Sequence, residues 1–192
     1  MRSQVRRIRF DQPRLERSAR AILSDVGETS AELGILFVGD QRMRGLNCRY
    51  RGKDRTTDVL AFAMREACMP HALRQVQGRP VPLTPNILGD VVISVPTAWR
   101  QAEEAGRSLD EELACLLVHG ILHLCGYDHE LSEKEARRMY RRERMILRSI
   151  AQAPKRANRT HQGSTGSPSR AKHKGRIVQY ASRVDVWDGC SD

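Results

Sequence analysis

The stretch SLDEELACLLVHGILHLCGYDH, residues 108–129, contains a helix start, a long apolar face and a helix stop. Ser108 and Glu111 are spaced as a capping box, in which each residue's side chain bonds to a free backbone N–H at the other. Apolar residues then recur over several turns, and Gly126 follows them as glycine commonly follows a helix end. The pattern predicts a long helix with an apolar face that ends in a turn at Gly126.

Three of the chain's six histidines lie in this stretch, at His119, His123 and His129. His119 and His123 are four residues apart, so a helix places both imidazoles on one face, one turn apart. On a continuous helix His129 would lie about 15 Å further along the axis, too far to share a metal with His119. A glycine in the left-handed conformation at position 126 turns the chain back. The sequence therefore predicts a three-histidine metal site on this helix and the following turn.

Three neutral imidazoles leave one tetrahedral position open, which is the usual plan of a catalytic rather than a structural zinc site. Helix histidines also occur as ordinary hydrogen-bonding residues, but the added offsets of Gly126 and His129 favour a metal site, and we expect one Zn²⁺ per chain. Neutral ligands leave the ion its double positive charge, which favours an anionic substrate such as a phosphodiester. Asp128, beside a ligand, either orients an imidazole or caps the turn.

The spacing His-x-x-x-His-x-x-Gly-x-x-His is also that of the metzincin proteases. In those enzymes a glutamate follows the first histidine and is the general base of peptide hydrolysis, whereas this chain has Gly120. The missing carboxylate disfavours a metalloprotease. Hydrolysis of another bond remains open if the substrate or another side chain handles the proton.

The elements on either side of this stretch predict an α+β fold. Alternating or short apolar runs predict four strands, at VRRIRF (5–10), AELGILFVGD (31–40), TDVLAFA (57–63) and NILGDVVIS (86–94). Helical spacing and capping residues predict about five helices, at 11–27, 40–50, 96–106, 108–126 and 132–150. We expect a mixed sheet of about four strands packed with about five helices, and the sequence does not determine the strand order.

The chain of 192 residues suits one domain, predicted at residues 1–151, followed by a tail at residues 152–192. The tail is rich in Gly, Ser, Pro, Lys and Arg, so we expect it to be disordered, although RIVQYASRVDVWDGC (176–190) contains apolar residues and receives no secure assignment. It holds 8 Lys and Arg against 3 acidic residues, which leaves 25 against 20 in the domain, so each part carries +5. The concentrated charge fits either a polyanionic partner such as RNA or a solvated tail.

No apolar run has the length of a signal peptide or a membrane span, which predicts a cytoplasmic protein without membrane association. The five cysteines are odd in number and contain no CxxC pair. Free thiols are therefore expected, as in a reducing compartment.

The chain resembles the YbeY family of bacterial endoribonucleases, which act in ribosomal RNA maturation and ribosome quality control. The resemblance covers roughly residues 33–150 and rests on LNCRYRGKDRTTDVLAFA, LGDVVIS, QAEE, LLVHGILHLCGYDH and RRMYRRERMIL. It implies that His119, His123 and His129 are the zinc ligands. The family's arginine falls on Arg51, where a guanidinium would bind phosphate in a bidentate manner and stabilise transition-state charge. The chain departs from the family in lacking two prolines, at Thr56 and Ala63, and neither position is an implied ligand.

The residues and the resemblance together predict a single-strand-selective, zinc-dependent endoribonuclease. Its expected role is ribosomal RNA processing, at the 3′ end of the small-subunit RNA, and ribosome quality control. The alternative is a ribosome-assembly binding factor in which the metal is mainly structural. Either function implies ribosomal RNA and ribosomal particles as partners, together with ribosomal or assembly-factor proteins.

Overall fold

The computed structural model describes residues 8–65, 86–152 and 176–181. Its helices are α1 (Gln12–Asp25), α2 (Asp40–Arg51), α3 (Val95–Glu104), α4 (Leu109–Leu124) and α5 (Glu133–Gln152). Its strands are β1 (Glu32–Val38), β2 (Val59–Ala63), β3 (Ile87–Ser94) and β4 (Ile177–Ala181).

The strands form one mixed sheet in the order β2-β3-β1-β4. β1 pairs in parallel with both β3 and β4, while β2 runs antiparallel to β3. The predicted α+β fold, with a four-stranded mixed sheet and five helices, is confirmed among the described residues.

The membership of the sheet differs from the prediction. Residues 8–10 of the predicted first strand are not part of the sheet. Residues 1–7 lie outside the described part of the chain. The outer position beside β1 is instead taken by β4, from the segment that the sequence left unassigned within a tail expected to be disordered. Without a neighbour, this edge of β1 would expose unpaired N–H and C=O groups, which β4 satisfies here. Ile177 also packs against the core, so this part of the tail belongs to the folded unit.

Helix α4 is the centre of the packing. It lies on β2 and β3 and contacts α1, α3 and α5 on its other sides. The main core forms between this layer of helices and one face of the sheet, and Leu117 and Ile121 are fully buried in it. A smaller cluster on the opposite face joins α2 to the sheet through Met43 and Val92.

The helix boundaries follow the predicted local signals. The Asp11 carboxylate accepts a hydrogen bond from the Arg14 N–H at the start of α1. Ser108 and Glu111 form the complete capping box of α4. Among the residues with described coordinates, no helix combines the length and the apolar composition that a membrane span requires.

Candidate metal centre

The three histidines that the sequence singled out converge at the C-terminal end of α4. His119 and His123 lie on the same face of the helix, with their Nε2 atoms 3.0 Å apart. Gly126 has a φ of 85°, the left-handed conformation predicted for the turn, and this turn returns His129 to the other two. One ring nitrogen from each of the three histidines lies within 4.8 Å of the corresponding nitrogens of the other two.

The cluster has a donor set that could hold a metal ion, and its dimensions can be compared with those of a zinc site. Nitrogens bound about 2.0–2.1 Å from a tetrahedral zinc lie roughly 3.3 Å from one another. Nε2 of His119 and Nε2 of His123, 3.0 Å apart, are already close to that value. The three ring nitrogens, one from each histidine, lie within 4.8 Å of one another, a range that includes it. His119 and His123 are partly buried while His129 is exposed, so a metal held there would have an open side towards solvent and substrate.

The electrostatics of the cluster favour the neutral, metal-binding form of His123. Burial lowers the pKa of His123, and the neighbouring rings of His119 and His129 lower it further. The Asp128 charge and a hydrogen bond with the Tyr127 backbone act in the opposite direction and are outweighed. A neutral imidazole keeps the lone pair that a metal ligand must offer.

Glu143 of α5 contacts the His119 ring at Nδ1, the nitrogen that does not face His123. Its Oε1 lies 2.7 Å from Nδ1 of His119, and both side chains are partly buried. An imidazole that donates Nδ1–H to a carboxylate presents the bare Nε2 to a metal, and the carboxylate also raises its basicity. Sequence reasoning missed this contact. The available signal was a glutamate between Met139 and Ile146 on the buried face of an amphipathic helix, where an acidic residue requires a partner.

Asp128 contributes to the turn rather than to a ring. Its Oδ1 accepts a hydrogen bond from the backbone N–H of Glu130 at 2.8 Å. This bond fixes the backbone immediately after His129, which is the capping alternative considered from the sequence.

The three histidines line a cleft of about 420 Å³. Residues of β2 and Arg51 line the same cleft. Arg51 is the last residue of α2, which ends at Gly52 in the left-handed conformation. Its guanidinium donates a hydrogen bond from Nη2 to Oε1 of Glu130 at 3.2 Å, and the arginine side chain is 41% exposed. Arg51 is therefore in the same cleft as the three histidines and is accessible to a substrate.

Asp58 fixes the beginning of β2 at the edge of this cleft. Its Oδ1 accepts from the Val59 N–H at 2.8 Å, and its Oδ2 accepts from Nε2 of Gln101 at 3.1 Å. The Asp58 carbonyl oxygen also accepts from the Ser94 N–H. These bonds connect the cleft wall to α3 and β3, so Asp58 has a structural role.

Gly120 lies where α4 approaches the sheet most closely. A Cβ added at this position would be 2.7 Å from Cγ1 of Val91 and 3.4 Å from Cγ2 of Val59. The position that carries the catalytic glutamate in metzincins thus has no room for a side chain here. The same glycine that removes the protease base also allows the helix to pack against β3.

Three histidines that could hold a metal, with an open side and a guanidinium in the same cleft, are an arrangement typical of hydrolases that act on anionic substrates. A family model described as Endoribonuclease YbeY matches residues 1–151. The chain belongs to the endoribonuclease YbeY family. The predicted enzyme class, a nuclease that hydrolyses phosphodiester bonds, is confirmed by this membership.

Individual relatives carry the same name. The Endoribonuclease YbeY of Geobacter metallireducens is 47% identical over 136 residues, which cover 70% of this chain and 83% of the relative. That of Aquifex aeolicus is 41% identical over 148 residues, covering 77% and 88% of the two chains. A solution structure of TM1509 from Thermotoga maritima is 24% identical, with a TM-score of 0.49 and coverage of 74% and 85%.

Proposed function

We propose that the chain is a zinc-dependent endoribonuclease that cleaves single-stranded ribosomal RNA, in 3′-end maturation of the small-subunit RNA and in ribosome quality control. The observation that carries the proposal is the position of Arg51 in the same cleft as His119, His123 and His129. A phosphodiester bound in this cleft would lie beside both the cation held by the histidines and the guanidinium of Arg51. The three cysteines of the described residues are not joined in disulfides, which fits a cytoplasmic location.

Each residue has a separate task in this proposal. The three histidines hold zinc, which when bound supplies positive charge at the phosphate and lowers the pKa of water. Glu143 keeps the His119 ring in the orientation that presents Nε2. Arg51 binds the phosphate oxygens and stabilises the charge that grows on them in the transition state.

Substitution of Arg51 tests the catalytic assignment. We expect Arg51→Ala to retain zinc and fold but to cleave a single-stranded ribosomal RNA fragment roughly 100- to 1,000-fold more slowly, because one stabilising donor is lost. His123→Ala should lose both zinc and cleavage. Zinc content, circular dichroism and gel-based cleavage rates measure these effects.

Arg137→Ala is the matched control, because Arg137 is also an exposed arginine paired with a glutamate, Glu133 at 3.0 Å, but does not line the cleft. Wild-type cleavage rates in Arg51→Ala would remove the arginine from the mechanism. If zinc-loaded wild type binds ribosomal particles but cleaves no RNA, the assembly-factor alternative replaces the nuclease. Zinc-dependent turnover of casein would return the protease to consideration.

A further inference from the structure

An aromatic pair lies beside the cleft and has no part in the chemistry proposed above. Tyr50 is 58% exposed at the end of α2, although tyrosine rings usually bury most of their area. Its ring packs edge to face on Phe62, with centroids 5.0 Å apart and planes at 71°. Phe62 is partly buried against the cluster between α2 and the sheet, so it holds the Tyr50 ring in a fixed position at the surface.

This pair is separated from the cleft by a single strand. Tyr50 directly precedes Arg51, which lines the cleft. Phe62 lies in β2 between Ala61 and Ala63, and both alanines line the cleft from the other face of the strand. β2 is the outer strand of the described sheet, paired only with β3 there. A flexible chain that leaves the cleft around this edge therefore reaches Tyr50.

The surroundings of Tyr50 are strongly basic. The segment 42–55 contains six Lys and Arg residues and a single acidic residue, Asp54, and all seven of these side chains are exposed. The Cζ atom of Arg49 lies 5.6 Å from the centroid of the Tyr50 ring. An exposed aromatic ring among cations is the arrangement with which proteins bind single-stranded nucleic acid, because bases stack on the ring while cations neutralise phosphates.

We propose that Tyr50 is a base-stacking site for the single-stranded RNA substrate, occupied by a base of a nucleotide that flanks the phosphodiester in the cleft. The inference rests on the proposed function, since it places a specific contact next to the cleavage site. The charge of segment 42–55 favours a nucleic acid over a protein as the occupant. The site also gives a physical reason for single-strand selectivity, because a base in a duplex is already stacked and paired.

The test compares the binding of two labelled oligonucleotides of equal length by fluorescence anisotropy with zinc-loaded protein. One is a single-stranded 2′-O-methyl RNA, and the other has abasic sites in place of its bases. We expect Tyr50→Ala to weaken binding of the first by roughly 10- to 100-fold and to leave binding of the abasic chain unchanged. Tyr50→Phe should bind like wild type, because stacking needs the ring and not the hydroxyl.

Tyr140 provides a matched control. It is 61% exposed on α5 and has the Arg144 guanidinium 5.7 Å from its ring centroid. Unlike α2, which ends in the cleft at Arg51, α5 contributes none of the described residues that line the cleft. Tyr140→Ala should leave both affinities unchanged. Equal weakening by Tyr140→Ala, wild-type affinity of Tyr50→Ala, or equal loss of abasic binding in Tyr50→Ala would each overturn the stacking site.

Failure of the proposed function gives a different result. Zinc-dependent cleavage of unmodified RNA by wild type is measured in parallel. Base-dependent binding through Tyr50 without any cleavage overturns the nuclease mechanism and supports the stacking site. Cleavage by wild type with unaltered binding and KM in Tyr50→Ala overturns the stacking site alone.

Discussion

At the scale of single residues, Gly120 shows how one missing side chain serves both packing and chemistry. We expect Gly120→Ala to lower the free energy of unfolding, because the added methyl group would lie 2.7 Å from Val91 in a packed core. Overpacking costs about 1–3 kcal/mol, whereas the gain in helix propensity from glycine to alanine is about 1 kcal/mol. Urea unfolding measures the difference.

Gly45 in α2 is the control for this prediction. A Cβ at Gly45 meets no atom within 4 Å, so Gly45→Ala should stabilise the fold by up to about 1 kcal/mol. In a Val91→Ala background, Gly120→Ala should lose most of its cost, because the clashing methyl groups are absent. Equal stability of Gly120→Ala and wild type would show that α4 can shift away from the sheet without penalty.

The contact between Glu143 and His119 gives a second prediction at this scale. We expect Glu143→Gln to lower zinc affinity roughly 10- to 100-fold, because the amide is a weaker acceptor and does not raise the basicity of the ring. Competition with a coloured zinc chelator measures this without any reference to RNA cleavage. Glu133→Gln, on the exposed first turn of α5, should bind zinc like wild type. Unchanged affinity in Glu143→Gln would reduce the contact to helix packing.

The difference between these residues explains what the sequence could predict about the site. His119, His123, Gly126 and His129 lie within one helix and one turn, so their geometry follows from local rules. Glu143 reaches His119 only through the packing of α5 on α4, which no local rule determines.

At the scale of elements, Asp40 connects the starts of two helices. It is the first residue of α2 and accepts hydrogen bonds from Ser94 Oγ at 2.6 Å and Thr97 Oγ1 at 2.7 Å, at the start of α3. Arg100 forms an ion pair with it at 2.8 Å. Burial raises the pKa of Asp40, but the hydrogen bonds and the Arg100 charge outweigh burial and hold the pKa below its usual value.

This lowered pKa predicts how stability depends on pH. The ionised carboxylate stabilises the fold at pH values above the unfolded-state pKa, and the contribution is lost as the pH falls through the lower folded-state pKa. Asp40→Asn should therefore cost about 1–3 kcal/mol at pH 7, and the difference from wild type should shrink below about pH 4. Denaturant unfolding of both proteins across this range measures it. A difference that stays constant with pH would assign the cost to shape rather than charge.

The elements themselves were predicted with one exception, which has a physical cause. Helices and inner strands have long apolar patterns and capping residues, so they could be located before the pairing was known. The strand beside β1 is chosen by a non-local pairing, for which short alternating segments at either end of the chain qualify. A local pattern cannot decide such a competition.

At the scale of the whole molecule, the tail has two features with separate consequences. Its strand β4 pairs with β1, and its Lys and Arg residues add positive charge. We expect deletion of residues 176–192 to lower the melting temperature, because it uncovers the edge of β1 and removes the packing of Ile177. Replacing the six Lys and Arg residues of segment 153–175 by Gln should leave the melting temperature unchanged and weaken RNA binding at low salt.

Two measurements separate the contributions of the tail. Differential scanning calorimetry follows stability, and RNA affinity between low and high salt follows the phosphate contacts, each worth a slope of about 0.7 for single strands. The glutamine variant should have the shallower slope. An identical salt dependence in wild type and the glutamine variant would mean that the tail charges make no phosphate contacts. The tail would then be only a solvated segment, which is the alternative that the sequence left open.

The close approach of α4 to the sheet has a consequence for how the enzyme can evolve. A glutamate after the first histidine is one substitution away in protein sequence, yet position 120 admits no side chain while Val91 stands opposite. Shortening Val91 first would leave a cavity in the core. Both mutational orders therefore pass through a less stable intermediate. The single mutants of the Gly120 and Val91 double-mutant cycle measure how much free energy of unfolding each order loses. The packing of α4 against β3, rather than the shape of the cleft, therefore opposes the glutamate that peptide hydrolysis would need.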